Sequence, residues 1–288
     1  MATRIKIREV RAGDFMRIHI FPVRNIHRGR RQKHYRESDD AQKRYNAKMR
    51  AMRTADLLHA NFTEADYALR LSYTGESPCL ADGKADLRKF IRRLRPYYRR
   101  AGIELRALGV TAEGKNQSRV HHHLVLSACP GLTDDQRLLR KLWANGGRGG
   151  ATSYVWIEPL EFDRGEGMDF SDGGLTGLSK YVIFDNAEDG REKGERAYFR
   201  TRNLCEPEIR EKVGEISARQ AAYINATADK QILAELYPGY DVRTVVPSTY
   251  IEADAPPLWQ TGLFTTVYLS RRRGEEGEKC RGSGRCGR

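Results

Sequence analysis

Alternating apolar and polar positions predict β-strands in the middle of the chain. The segment YALRLSY (67–73) alternates in this way and predicts a half-buried strand. Two apolar stretches, 104–113 and 120–128, are separated by the polar residues GKNQSR and predict a β-hairpin. The segment SYVWIEPLEF (153–162) follows a cluster of glycines and predicts another strand.

Apolar residues at helical spacing lie between these strands. From residue 84 to residue 100 they recur at i, i+3, i+4, i+7 and i+11, which predicts an amphipathic helix with a basic outer face. Good helix formers predict a basic helix over 41–60. Thr133 and Gln136 have the spacing of a capping box that would begin a further helix. A short helix is also predicted over 175–184.

The order strand, helix, hairpin, helix, strand, helix predicts the fold class. It is typical of an α+β fold with a central antiparallel β-sheet, and we expect the helices to pack on one face of that sheet. The predicted domains are a basic N-terminal arm and helix (1–60), a central α+β domain (61–204), a helical and irregular extension of unassigned role (205–270), and a disordered basic tail (271–288).

The net charge of +13 is concentrated at the two ends of the chain. Residues 1–60 contain 16 Lys and Arg against 6 Asp and Glu, and residues 271–288 contain 7 against 3. Basic ends beside a near-neutral centre suit binding to a phosphate backbone. We expect the N-terminal segment to contact DNA, with Arg44, Arg50 and Arg53 among the contacts, whereas the tail is expected to be solvated.

The cysteines and the absence of an apolar span predict the cellular compartment. Five cysteines at irregular spacing, with no CxxC pair, are typical of a reduced intracellular protein and disfavour a zinc ribbon. No apolar run is long enough for a membrane span, and the first thirty residues are too charged for a signal peptide. The sequence therefore predicts a cytoplasmic protein that does not bind membranes.

The strongest chemical signal is the run His121-His122-His123 inside an apolar strand. Alternate side chains of a strand share a face, so His121 and His123 point one way and His122 points the other. Two imidazoles on one face can bind a divalent metal. No histidine follows position 123 and no G-x-S-x-G motif occurs, which disfavours a hydrolase triad.

A metal site of this kind needs an oxygen ligand and a nucleophile. Glu113 ends the strand before the turn, and pairing across that turn is expected to bring it near the histidines as a third ligand. Two imidazoles and a carboxylate suit Mn²⁺ or Mg²⁺ acting on a phosphate. Tyr181, on the predicted helix 175–184, is the candidate nucleophile, and the adjacent Lys180 could favour its ionisation.

The order of these motifs resembles that of the HUH endonuclease superfamily, and in particular the rolling-circle replication proteins with a single catalytic tyrosine. The resemblance rests on the LRLSY strand, an acidic residue, R-x-H-x-H-L-V and a helical K-Y-V, and it covers about residues 40–205. It includes RAYFRTRNLCEP (196–207), which is similar to a Ser/Thr-Arg-Asn-Leu-x-x-Pro segment of those proteins. Phe184 stands where many relatives have lysine.

The resemblance implies a ferredoxin-like palm in which 61–204 is the endonuclease domain. It also implies that His121, His123 and Glu113 bind the metal. Tyr181 would then attack a DNA phosphate, giving a 5′-phosphotyrosine and a free 3′-OH for priming.

Several partners follow from this interpretation, and two other interpretations stay open. The substrate would be single-stranded DNA at a replication origin, held by Arg119, Lys180 and the N-terminal arm. Because no G-x-x-x-x-G-K-[ST] motif occurs, a host helicase and a host polymerase would be needed. The chain could instead be a non-catalytic nucleic-acid binder that stacks bases on Tyr67, Tyr73 or Trp156. It could also be a metal-dependent phosphodiesterase that uses activated water.

Overall fold

The computed structural model of the protein describes residues 4–23, 40–74, 76–113, 119–144, 154–162, 174–175, 177–179, 198–248 and 263–272, without the side chains of 40–45. In chain order the elements are β1 (Ile5–Ala12), β2 (Phe15–Pro22), α1 (Asp40–Asn61), β3 (Tyr67–Ser72), α2 (Leu80–Arg100), β4 (Ala107–Glu113), β5 (Val120–Leu126), α3 (Gln136–Ala144), β6 (Tyr154–Pro159), β7 (Phe199–Arg200), β8 (Glu208–Val213), α4 (Ala218–Thr227), α5 (Lys230–Leu236), β9 (Tyr240–Ser248) and β10 (Phe264–Arg271).

The chain forms two compact units, each built on its own five-stranded antiparallel sheet. The described residues of the first unit are 4–23, 205–248 and 263–272, and those of the second lie between 40 and 204. The predicted α+β class is confirmed. The prediction of one central sheet fits the second unit only, because the first unit has a sheet of its own.

The sheet of the second unit has the strand order β6-β3-β5-β4-β7. Four of its strands and the two helices that connect them, in the chain order β3-α2-β4-β5-α3-β6, form two interleaved β-α-β units with antiparallel neighbours. This is the ferredoxin-like arrangement, and the short strand β7 extends it at the β4 edge. The hairpin of β4 and β5 and the helix between β3 and β4 form where the sequence predicts them.

Helices cover both faces of this sheet, so the prediction of helices on one face is wrong. One face of β3 and β5 packs on α2 and α3, in a core that includes Leu71, Leu124, Phe90 and Trp143. The other face contributes to a cluster with Leu57 and Leu58 of α1, and its members from the sheet are Leu108 and Val125. All seven residues of β5 are buried, because a strand covered on both faces has no solvent side.

The start of α3 differs from the predicted capping box. The carboxylate of Asp135 accepts a hydrogen bond from the backbone N–H of Leu138 (3.0 Å) and caps the helix. The hydroxyl of Thr133 bonds instead to the backbone of Cys129, and the amide of Gln136 donates to the carbonyl of Val155 (2.9 Å). The predicted spacing is present, but the helix begins later in the chain than the box requires.

The first unit joins distant parts of the chain in a sheet of order β8-β1-β2-β10-β9. Residues 5–22, which the sequence places in a basic arm, form β1 and β2, and the predicted irregular extension supplies β8, β9 and most of β10. Part of the predicted basic charge is paired within this sheet, because Glu211 lies 2.6 Å from Lys6. A hydrophobic core, mostly of Ile, Leu and Val side chains and including residues of α4 and α5, holds the unit together.

A membrane span was not expected, and among the described residues no helix is long and apolar enough to cross a bilayer.

Candidate active site

The side chains of His121 and His123 lie side by side on one face of β5. Their ring centroids are 5.1 Å apart and the rings are nearly perpendicular, at 88°. Both residues are more than nine-tenths buried. Nδ1 of His121 lies 3.2 Å from the carbonyl oxygen of Arg119, and its Nε2 is buried without a hydrogen-bond partner among the described residues. A buried ring nitrogen of this kind is available as a metal ligand.

His122 lies on the opposite face and belongs to the core, as strand alternation predicts. It is fully buried, with Nε2 3.1 Å from the Tyr73 hydroxyl and Nδ1 3.0 Å from the Thr111 hydroxyl. Its ring packs edge-on against Trp143, with centroids 5.1 Å apart. Burial, with smaller effects of His121 and His123, lowers the pKa of His122 to about 3. His122 is therefore a neutral structural residue.

The environment of His123 keeps its imidazole neutral. Burial is the main cause, and the neighbouring His121 and the positive charge of Arg70 add to it, which lowers the pKa of His123 to about 3. Metals bind the deprotonated ring nitrogen of histidine, so a ligand with this pKa needs to lose no proton at neutral pH.

The strand register places four further residues in two rows with the histidines. Ser72 of β3 pairs with His121, and Tyr154 of β6 pairs with Ser72. Arg70 of β3 pairs with His123, and Trp156 of β6 pairs with Arg70. Directly paired residues share a face of the sheet, so all of these side chains lie on the face that carries His121 and His123.

Two exposed aromatic residues end these rows at the edge of the sheet. Tyr154 is 43% exposed and Trp156 is 50% exposed, which is unusual for large aromatic side chains. The indole N–H of Trp156 donates to the carboxylate of Glu158 (3.2 Å), which restrains the ring. Arg70, also exposed, lies between Trp156 and the histidine pair in the register. The face therefore combines metal-binding groups, a cation and flat apolar rings.

The strand register does not place Glu113 beside the histidine pair. Glu113 pairs with Val120, and the residue opposite His121 is Ala112. By alternation Glu113 falls on the face of Thr111 and His122. Among the described residues no group of three or more His, Cys, Asp or Glu could hold a metal ion. Glu113 ends β4, and residues 114–118 lie outside the described part of the chain, so its ligand role stays a prediction.

The residues predicted to bind DNA are spread over two elements. Arg119 is exposed next to β5, and its guanidinium donates to the carbonyl oxygen of Tyr73 (3.0 Å), which links the ends of β3 and β5. Arg50 and Arg53 lie on α1, half-buried and exposed respectively. Arg44 is also in α1, but its side chain lies outside the described residues.

The predicted nucleophile, Tyr181, and its neighbour Lys180 lie outside the described residues. The helical residues just before them are described. Leu175 and Leu178 belong to the cluster that contains Val125 of β5 and Leu108 of β4. Val125 is two residues from His123 on the same strand and so on the same face. The chain segment that leads to Tyr181 thus packs on the side of the sheet that carries the histidine pair.

Three aromatic residues named as candidate base-stacking groups differ in their surroundings. Tyr73 is buried against His122 and Trp143, so it cannot stack on a base. Tyr67 is partly buried and packs on the core. Trp156 alone of the three is strongly exposed. Sequence reasoning did not place Tyr154 or Arg70 beside the histidines, because that placement depends on the pairing of β3 with β5 and β6.

Residues 66–155 match a family of replication-associated proteins, the ORF2 type. The matched stretch runs from the start of β3 into β6 and includes the histidine pair, Glu113 and Arg119. Tyr181 follows it in the chain. No curated protein and no solved structure is significantly similar to the chain.

Proposed function

We propose that the chain initiates rolling-circle DNA replication by cutting and rejoining single-stranded DNA through Tyr181. One observation carries the proposal. His121 and His123 are paired on one face of a ferredoxin-like sheet, within the stretch that matches a replication-associated family. The same face carries the exposed Trp156 and Arg70, which suit a single-stranded nucleic acid.

The histidine pair fits a divalent metal in its chemistry. Nε2 of His121 is a buried polar atom without a hydrogen-bond partner among the described residues, and the pKa of His123 keeps that ring neutral. His121 and His123 would hold the ion, with Glu113 as the predicted third ligand. Bound Mn²⁺ or Mg²⁺ would supply a Lewis acid that withdraws charge from the scissile phosphate.

Tyr181 provides the nucleophile in this proposal. Leu178 and Ser179 are described and packed, and the two residues from Ser179 to Tyr181 span at most about 7 Å of chain. The phenol loses its proton as its oxygen attacks phosphorus, and Lys180 favours the phenolate. The bond from phosphorus to the 3′-oxygen breaks and that oxygen takes up a proton. The products are a 5′-phosphotyrosine and a free 3′-OH.

The exposed groups of β3 and β6 would hold the strand during this reaction. Base stacking on Trp156 and Tyr154 needs no particular sequence, because every base has an aromatic face. Arg70, between these rings and His123 in the register, would contact a phosphate. The strand is then fixed on the side of the sheet on which Leu175 and Leu178, just before the nucleophile in the chain, pack. Positioning of this kind lowers a reaction barrier.

A covalent adduct is the direct test of this function. The full chain is incubated with Mn²⁺ and end-labelled single-stranded oligonucleotides that tile both strands of the replicon carrying its gene. We expect one oligonucleotide to give an SDS-resistant labelled protein band that is lost with EDTA. Metal-dependent cutting without an adduct would favour the phosphodiesterase interpretation, and binding without cutting would favour the non-catalytic binder.

A further inference from the structure

A stripe of arginines follows the exposed side of α2. Arg88, Arg92, Arg95 and Arg99 are spaced by four, three and four residues, and all four are exposed. This spacing keeps them on one side of the helix, along about 16 Å of its length at 1.5 Å per residue. Between residues 87 and 103 the sequence contains no acidic residue. The stripe is therefore uninterrupted by negative charge from its own helix.

The stripe leads into a cavity of about 760 Å³ at the C-terminal end of α2. Arg95 and Arg99 line it from the helix, and Arg200 and Arg202 line it from the segment that includes β7. No acidic residue lines the cavity within the described part of the chain. All of its lining residues belong to the second unit.

Hydrogen bonds to the start of β4 fix the segment that carries Arg200 and Arg202. The backbone N–H of Thr201 donates to the carbonyl of Ala107 (2.9 Å), and the N–H of Ala107 donates to the Thr201 hydroxyl (3.1 Å). The side-chain amide of Asn203 donates to the carbonyl of Leu105 (3.2 Å). Thr201 and Asn203 thus hold the backbone, and the arginines between and beside them are presented to the cavity.

We propose that this arginine track, formed by Arg88, Arg92, Arg95, Arg99, Arg200 and Arg202, binds the phosphate backbone of DNA at a second site. Guanidinium groups are suited to phosphate because they present several N–H donors in one plane. No ion pair involves Arg95, Arg99 or Arg202 among the residues that the structure describes. Several cations in one concave surface create the positive potential that attracts a polyanion.

The track is separate from the histidine pair. Helix α2 packs on the face of the sheet that carries His122, whereas His121 and His123 lie on the other face. The cavity adjoins the start of β4, and His121 pairs near the end of β4. The track would therefore bind a part of the substrate DNA that lies away from the scissile phosphate. The inference relies on the proposed function only in taking DNA as the partner.

Helix stabilisation explains only part of the arrangement. Arginines in the last turn of a helix interact favourably with its dipole, which accounts for Arg99 and Arg100. It does not account for Arg88 and Arg92 in the middle of α2, nor for Arg202 in another segment. Binding to an external anion accounts for all of them.

Salt dependence of DNA binding tests the track without any catalysis. The full chain is titrated with a labelled random-sequence single strand in EDTA, and the logarithm of the binding constant is plotted against that of the salt concentration. Arg95→Ala with Arg99→Ala should flatten the slope by about 1.4, since each phosphate contact on a single strand contributes about 0.7. The matched control is Arg219→Ala with Lys230→Ala, which removes two exposed charges from the first unit and should leave the slope unchanged.

Lysine substitution distinguishes the loss of positive charge from a change in folding. Arg95→Lys with Arg99→Lys keeps both charges and should preserve most of the slope, and circular dichroism should show all three variants folded. An unchanged slope in the alanine pair would overturn the proposal, as would an equal loss in the control pair. If the wild type forms no adduct, the proposed function fails. The salt dependence of DNA binding still tests whether the arginine track binds DNA.

Discussion

The hydroxyl of Tyr73 lies 3.1 Å from Nε2 of His122, and this contact separates the middle histidine from its two neighbours. With Thr111 on the other ring nitrogen, His122 has both nitrogens bonded inside the core. His121 and His123 face the opposite side of the sheet. The three histidines therefore have two different roles, and substitution of each should show it.

We expect His122→Ala to lower the free energy of unfolding by about 2–4 kcal/mol, because it leaves a cavity and removes partners from two buried hydroxyls. His121→Ala and His123→Ala should change stability less but abolish Mn²⁺ binding. Urea unfolding measures the first effect and isothermal titration with Mn²⁺ in the absence of DNA measures the second. Equal loss of metal binding in a folded His122→Ala protein would contradict the division of roles.

Replacement of Tyr181 by phenylalanine should abolish the covalent adduct while metal and DNA binding persist. Only the nucleophilic oxygen is removed, so the effect on folding should be small. The control is Tyr198→Phe, at a half-buried tyrosine that packs against the cluster containing Val125. Adduct formation is followed by SDS gel electrophoresis. An adduct that persists in Tyr181→Phe and disappears in Tyr198→Phe would move the nucleophile to Tyr198.

The exposed indole of Trp156 should contribute to binding of single-stranded DNA. Trp156→Ala is expected to weaken binding by about 1–3 kcal/mol, the usual range for loss of one stacked base, and Trp156→Phe should lose less. Tyr223 of α4, also 50% exposed, provides a control through Tyr223→Ala. Fluorescence anisotropy with a labelled single strand in EDTA gives the affinities. Equal affinities of wild type and Trp156→Ala would exclude the stacking role.

Gly109 of β4 allows a close approach to the metal-binding strand. A Cβ atom at this position would lie 2.7 Å from the backbone carbonyl oxygen of His123, closer than real contacts allow. Gly109→Ala should therefore displace β5, destabilise the fold by about 1–3 kcal/mol and weaken Mn²⁺ binding. Gly239→Ala, where a Cβ meets nothing within 4 Å, should do neither. Urea unfolding and Mn²⁺ titration of the two variants test the difference. If Gly109→Ala keeps the stability and the Mn²⁺ affinity of the wild type, the prediction is wrong.

Glu9 should make the stability of the first unit sensitive to acid. Its carboxylate is fully buried and bonds to Lys212 (2.9 Å), Tyr237 (2.9 Å) and Arg11 (2.7 Å). Burial alone raises the pKa of Glu9, but the hydrogen bonds from Lys212, Tyr237 and Arg11 outweigh it, and the pKa falls below its ordinary value.

A carboxylate with a lower pKa in the folded than in the unfolded state stabilises the fold above its unfolded pKa, about 4.3. This contribution is lost as the pH falls through the folded value. Glu9→Gln should lower stability at pH 7 by about 1–3 kcal/mol and reduce the loss between pH 5 and pH 3. Urea unfolding at several pH values measures both. An identical pH dependence in wild type and variant would assign the acid sensitivity to other groups.

The second unit could be predicted from the sequence because its signals are local. Strand alternation in 120–126 and helical spacing in 84–100 each lie within one element, and the alternation also separated His122 from His121 and His123. The exposed Tyr154 was missed for another reason. Its position beside the histidines depends on pairing through β3, which the alternation within one strand does not specify.

The first unit was not predicted because two of its four strand pairings, β1 with β8 and β2 with β10, join distant parts of the chain. Residues 5–12 and 15–22 alternate as strands do, but the positive charge of residues 1–60 as a whole suggested a nucleic-acid arm. Their ion-pair partners, such as Glu211, come from the other end of the chain and cannot be inferred from local pattern. Deletion of residues 1–60 would therefore remove two strands of a sheet as well as positive charge.

The pairing of β2 with β10 also sets an order for folding during synthesis. Phe15 and Ser270 are partners, so the ribosome adds on the order of 250 residues after β2 before its second neighbour exists. At about 5–20 residues per second this takes roughly 10–50 s, whereas the strands from β3 to β6 emerge close together. The backbone edge of β2 that pairs with β10 must stay unpaired during this interval. The nascent chain is therefore most prone to aggregate before β10 is made. We expect it to depend on chaperones mainly during this interval.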